Sequence, residues 1–284
     1  MSLYVEIQKH AKTSSGEVDL FKALQKSFKI FADVMNVHGT KYQMKFNNPL
    51  DITEEISCEI ADLLIFVYDE NEARFTYLQN KKAYSSTYLP NGEISIPLRQ
   101  HYLLGNFPII KAKNKSIFIP STIFSGRILD SIGSLGVFYT DSLGLINMDY
   151  SIMNLMHTTE LYTNLDYSSN KPKKFLFNGI PLNTRKIKGY LEIESCPDLV
   201  YFEQSIKALK IGEPIVASSP YISDYVLSLV EDAIRNNECE FSSVDDILIL
   251  RQKLNISRSQ YINAIIASKD LPNFKLAVIN VKKN

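Results

Sequence analysis

Residues 60–68, IADLLIFVY, form an almost unbroken apolar run with one carboxylate near its start, and residues 74–81, RFTYLQNK, alternate in part. Each is too short for a buried helix and rich in β-branched and aromatic residues, so each reads as a strand. The polar link 69–72, DENE, is short enough to force them side by side as an antiparallel hairpin. A chain committed to a buried hairpin must cover both faces, and its neighbours read as helices and strands able to do so.

Centring the turn between Glu70 and Asn71 sets Asp62 opposite Gln79. Opposed side chains share a face with β-carbons about 5 Å apart, and Lys81 shares that face at a diagonal of about 7–8 Å. One carboxylate, one amide and one ammonium are thereby expected to converge.

After the turn-like Ser14-Ser15-Gly16, helical spacing of apolar residues predicts a helix over 17–35. Residues 42–46 alternate as a half-buried strand ending near Asn48-Pro49, and 98–104 read as a helix. Short strands are expected at 116–119 and 136–139, and a helix at 151–162. The expected class is α/β, in the order helix, three-stranded meander, helix, strand. A core is expected over 1–163. A second region, 164–284, opens with a basic surface loop or hairpin and continues mainly helical over 224–235 and 244–267 to a closing strand at 274–281.

Composition narrows the function. The 284 residues, 45% hydrophobic and 22% charged, can bury a large core. With 31 basic against 31 acidic residues, any nucleic-acid contact must be a local patch rather than a general positive field. The three cysteines, Cys58, Cys196 and Cys239, are far apart and in no CxxC pair, which argues against a disulfide framework or a zinc finger. Charges interrupt the N-terminal stretch and no run approaches a membrane span, so a cytoplasmic protein is expected, neither exported nor anchored.

Other constellations offer less. His10, His38, His101 and His157 lack metal-ligand spacing. No GxxxxGK[ST], GxGxxG or GxSxG occurs. Lys171, Lys173, Lys174, Arg185, Lys186 and Lys188 lie with Tyr167, Phe175 and Phe177 in a stretch without acids after Asp166, and could contact DNA phosphates or form a solvated loop. Arg251, Lys253 and Arg258 flank a break at 255–257 that fits a helix-turn-helix or two packed helices.

The Asp62, Gln79, Lys81 set suits phosphodiester hydrolysis, in which a divalent cation bridges phosphate and water and a cation helps the water become a nucleophile. Asp62, Gln79 and the carbonyl of Asn80 would be ligands for Mg²⁺ or Mn²⁺, with Lys81 orienting the water. The strings Glu59-x-x-Asp62-Leu-Leu-Ile and Leu78-Gln79-Asn80-Lys81-Lys82 resemble the PD-(D/E)xK superfamily of restriction-endonuclease-like nucleases, in the variant with Gln for the second acid. The resemblance covers roughly 17–110, with the Asp opening the second core strand and the QxK triplet on the third. It implies a restriction-endonuclease-like core and a Mg²⁺-dependent DNA endonuclease serving restriction, phage defence or repair. Arg99-Gln100-His101 on the following helix stand where the family often carries a Gln or basic residue, so Gln100 is a candidate nucleic-acid contact.

The chain departs from the pattern in two places. Ile60-Ala61 stand where a Pro would precede Asp62, and Gln79 lacks the second charge. A further acid is needed, from Glu59, Glu55 or Glu17, with Glu59 the expected choice although strict alternation turns it to the opposite face. Cutting both strands would favour a homodimer, and a partner protein could supply targeting. The alternative from another class is a non-catalytic interaction protein that keeps the fold.

Overall fold

The structure is a computed structural model that describes residues 2–28, 33–36, 42–68, 73–83, 92–115, 119, 121, 123–124, 131–153, 166–169, 171–177, 196 and 198–214. The expected helices at 224–235 and 244–267, the break at 255–257, the strand at 274–281 and residues Arg185, Lys186 and Lys188 lie outside them.

Helix α1, Leu3–His10, begins at Ser2, whose hydroxyl accepts from the Val5 amide, and it buries Leu3 and Ile7. Helix α2, Glu17–Phe28, has Glu17 and Asp19 in its first turn and Lys26 in its last, matching the helix dipole, and buries Leu20, Phe21, Leu24 and Phe28. The expected helix over 17–35 is thus shorter. Its last positions instead form strand β1, Asp33–Asn36, which pairs with β4, so tertiary strand pairing overrides a local spacing that stays compatible with a helix.

Strands β2, Gln43–Asn47, and β3, Glu55–Glu59, pair antiparallel, and the two-residue β7, Lys111–Ala112, adds to β2 in a small sheet of its own. The chain leaves this sheet through Ile60 and Ala61 and enters the main one at β4, Leu63–Tyr68. β4 pairs with β5, Ala73–Lys82, from Leu63 opposite Leu78 to Tyr68 opposite Ala73, the register expected from the sequence. The meander needs one correction: β4 has β1 on its other side, and β2 forms a separate hairpin with β3 between them in the chain. Both β2 and β3 alternate buried with less buried residues, the pattern of a sheet covered on one face.

Strand β6, Gly92–Pro97, leads into helix α3, Leu98–Asn106, which ends at Phe107 in the left-handed region. After this crossover, β8, Gly133–Thr140, lies parallel to the second half of β5, and β9, Ile146–Ile152, returns antiparallel to β8. Ser151 and Ile152, expected to open a helix, end β9; residues 154–165 lie outside the described ones. The strand expected at 116–119 falls mostly on undescribed residues.

The chain beyond residue 163 returns to the same body. Strand β10, Pro172–Phe177, pairs with β6, so the part of the basic stretch that carries Lys173 and Lys174 is a strand rather than a loop. Helix α4, Leu199–Lys207, capped by Asp198, places Phe202 between Phe28 and Tyr150, with ring centroids 5.8 and 4.8 Å away. Its Glu203 accepts from the Leu3 amide at 2.6 Å. Strand β11, Glu213–Pro214, lies beside Arg74 and Phe75 of β5, and Gly212 before it has φ +93° and packs on the Phe75 backbone, where a side chain would not fit. The described part is therefore a mixed α/β fold around a six-stranded mixed sheet, with a three-stranded and a two-stranded sheet beside it. No helix among the described residues is long and apolar enough to cross a membrane.

Candidate functional site

Strand alternation puts Phe75, Tyr77, Gln79 and Lys81 on one face of β5, and α3 crosses that face so closely that a β-carbon on Gly133 would strike the Leu104 backbone. Asp62 stands just before β4, its amide bonded to the Leu78 carbonyl at 3.2 Å, one residue off the register that pairs Leu63 with Leu78. Its carboxylate Oδ2 accepts from Gln79 Nε2 and from the Asn80 amide, each at 2.7 Å. The expected pair is thus in direct contact.

This contact is enclosed. Asp62 is 3% exposed, Gln79 1% and Asn80 0%. Since Gln79 Nε2 donates to Asp62, the amide oxygen Oε1 is the atom left in the interior with no donor. A buried carbonyl oxygen in that situation costs about 1–3 kcal/mol unless something electropositive meets it. Gln79 Nε2 also donates to the Asn80 carbonyl at 3.4 Å, so the NH2 group bridges that carbonyl and the Asp62 carboxylate, and only with the amide turned over would Gln79 Oε1 join them as an oxygen-only donor set. Such a set fits a hard divalent cation that retains several waters. Among the described residues, no three His, Cys, Asp or Glu side chains cluster as a metal site, so a cation here would depend on amide and carbonyl oxygens.

Lys81 completes the face. Its ammonium donates to Glu17 Oε1 at 2.6 Å, across from the first turn of α2. The neighbouring Lys82 donates to the carbonyls of Thr13 and Ser15 at 2.8 and 2.7 Å, fixing the loop that precedes α2. The ion pair lies nearer the surface than the Asp62–Gln79 contact: the Lys81 side chain is 10% exposed and that of Glu17 39%. Asp62, Glu17 and Lys81 together leave one net negative charge, which suits a cation.

Of the three acids weighed in the sequence, Glu17 is the one joined to Lys81. Glu59 ends β3 opposite Gln43 in the three-stranded sheet, and Glu55 pairs with Lys45 at the far end of the same strand. Across β8, the Lys81 face continues through Val137 to Asp149 on β9, which is buried. Sequence reading passed over Asp149, although its place in INMDYSI fixes its face once β9 is seen as a strand. Gln100 is buried on α3, while Lys171 is exposed. Neighbouring Arg99 ties α3 to Ser57 and to the Tyr167 and Ser168 carbonyls.

Compared with known proteins, the chain matches no family model, no curated protein and no solved structure.

Proposed function

We propose that the chain hydrolyses phosphodiester bonds of DNA with the help of Mg²⁺ or Mn²⁺, as a restriction-endonuclease-like enzyme in which Gln79 replaces the second acid. The observation that carries this reading is the 2.7 Å contact between Asp62 and Gln79 beside Lys81, with the buried Gln79 Oε1 lacking any donor. The order of elements supports it further: α2, then β1, β4 and β5 as antiparallel neighbours, then α3, then β8 parallel to β5. In this reading Asp62, just before β4, and the Gln79-Asn80-Lys81 triplet of β5 would take the roles that the resemblance implies.

In this reading Asp62, Gln79 and the Asn80 carbonyl hold the cation, and Glu17 supplies the negative charge that Gln79 lacks. A bound divalent cation neutralises phosphate charge and acidifies the attacking water. Lys81 would orient that water and offset negative charge on the phosphoryl oxygens, and Glu17 holds the lysine in place. Burial of Asp62 and Gln79 keeps bulk water from screening these charges.

The test is cleavage of plasmid DNA with Mg²⁺ or Mn²⁺ by the wild type, Asp62→Ala and Lys81→Ala, with EDTA as control. Metal-dependent cutting lost in both variants is expected. No cutting by folded wild type, with no cation bound by calorimetry, would overturn the reading in favour of a non-catalytic interaction protein.

A further inference from the structure

On the three-stranded sheet, away from Asp62, a cleft of about 380 Å³ opens between β2, β3, β7 and α3. Its floor is aromatic: Tyr102 of α3 lines it and stacks on Phe46 of β2 with centroids 5.8 Å apart. Its rim holds Ile52 and Ile109, which are 76% and 68% exposed, a cost in water that a ligand would relieve.

The charges in the cleft are unbalanced. Lys45 and Lys111 are direct cross-strand partners on β2 and β7, and both line the cleft. Like charges placed opposite one another are unfavourable in a sheet. Glu55 on β3 is the acid among the lining residues; it is ion-paired to Lys45, and its carboxyl is held below its ordinary range first by that bond and also by the charges of Lys45 and Lys111. The chain then continues past Lys111 through exposed Lys113 and Lys115 with no acid between residues 107 and 124.

An aromatic floor with an apolar rim takes a planar group, and paired lysines on one wall take an anion attached to it. A duplex hides its bases in the stack, whereas an unpaired base offers its ring to an aromatic side chain while its phosphates meet the lysines. An apolar peptide would satisfy the rim and leave the two lysines facing each other. We infer that this cleft binds single-stranded DNA, seating one unpaired base against Tyr102 and Ile109 with the flanking phosphates on Lys45 and Lys111. The inference rests on the nucleic-acid reading above. It adds that the substrate carries an unpaired segment, since Glu55 is only seven residues from Asp62, about 25 Å of chain at most.

The experiment is fluorescence anisotropy of a labelled single-stranded DNA of about 12 nucleotides, titrated with the full chain in EDTA. Ile109→Glu and Lys111→Ala alter exposed side chains, and unchanged melting temperatures verify that both variants fold. Each is expected to weaken binding at least about 5-fold. Lys111→Ala should also flatten the dependence of log Kd on log salt by about 0.7. Unchanged affinity in both variants, or displacement of the oligomer by duplex of the same sequence at equal concentration, would overturn the inference. Plasmid cutting by the same preparations separates the two claims. Metal-dependent cutting with no effect of the cleft variants overturns the cleft alone. Weakened oligomer binding without any cutting or bound cation in the wild type overturns the nuclease reading alone.

Discussion

Gln79 decides the chemistry of the candidate site, because its amide both donates to Asp62 and leaves Oε1 without a donor. Gln79→Glu removes the donor and sets a second carboxylate against Asp62. Calorimetry is expected to show divalent cations binding about 10-fold more tightly, while stability in EDTA falls by about 1–3 kcal/mol from the buried like-charge pair. Glu17→Gln should slow metal-dependent cutting while costing less than about 1 kcal/mol in a denaturant melt, since the ion pair it removes is half-exposed on the Glu17 side. A stability loss without a rate loss would reject the positioning role. Asp62, Gln79 and Lys81 were legible in the sequence because strand alternation is strict and the link between the strands is short. Glu17 could be named only among alternatives, since its contact with Lys81 spans 64 positions and arises from the packing of a helix.

At the scale of elements, two contacts set how the helices sit on the sheet. The first is Gly133, where α3 passes over β8 with no room for a β-carbon. Gly133→Ala is expected to lower stability by about 3 kcal/mol, whereas Gly144→Ala, in open space at φ +75°, should lose only about 1–2 kcal/mol for its left-handed backbone. Thermal unfolding compares them directly. The second contact clamps α1 to the β8–β9 turn, where the Tyr4 hydroxyl donates to Asp141 Oδ2 at 2.6 Å. Burial raises the Asp141 carboxyl, but the Tyr4 bond and the Leu145 and Leu143 amides outweigh it and leave it below its usual 3.8. Burial and the same bond push Tyr4 up to about 12 from 10.0. A depressed carboxyl stabilises the fold above its unfolded value and loses that contribution as pH falls through its folded one. A raised phenol stabilises below 10.0 and loses its contribution as pH rises towards 12. Tyr4→Phe should therefore cost about 1 kcal/mol across the neutral range and flatten the stability profile at both ends, read by melts from acid to alkaline pH. The start of α2, α3 and the β4–β5 register were legible because each has a clean period. β1 was absorbed into the preceding helix, and β9 was missed because INMDYSI mixes buried polar residues into a strand covered on both faces.

At the scale of the whole molecule, β10, α4 and β11 complete sheets and cover faces built by residues before 163. A fragment of residues 1–163 would bare Phe28 and Tyr150 and strip a partner strand from β5 and another from β6. It is expected to bind a hydrophobic dye and to melt without a cooperative transition, whereas a cooperative melt would establish that residues up to 163 fold alone. The sequence could not reveal these returns, because a short strand that pairs far along the chain has no local signature. The parallel pairing of β5 with β8 also sets an order in time. The β4–β5 hairpin needs only its own short link, but the strand beside Gln79 and Lys81 arrives after the whole crossover through α3, and β11 later still. Long-range pairing of this kind is slow, so during synthesis the face that carries Gln79 and Lys81 takes shape only after most of the core has emerged.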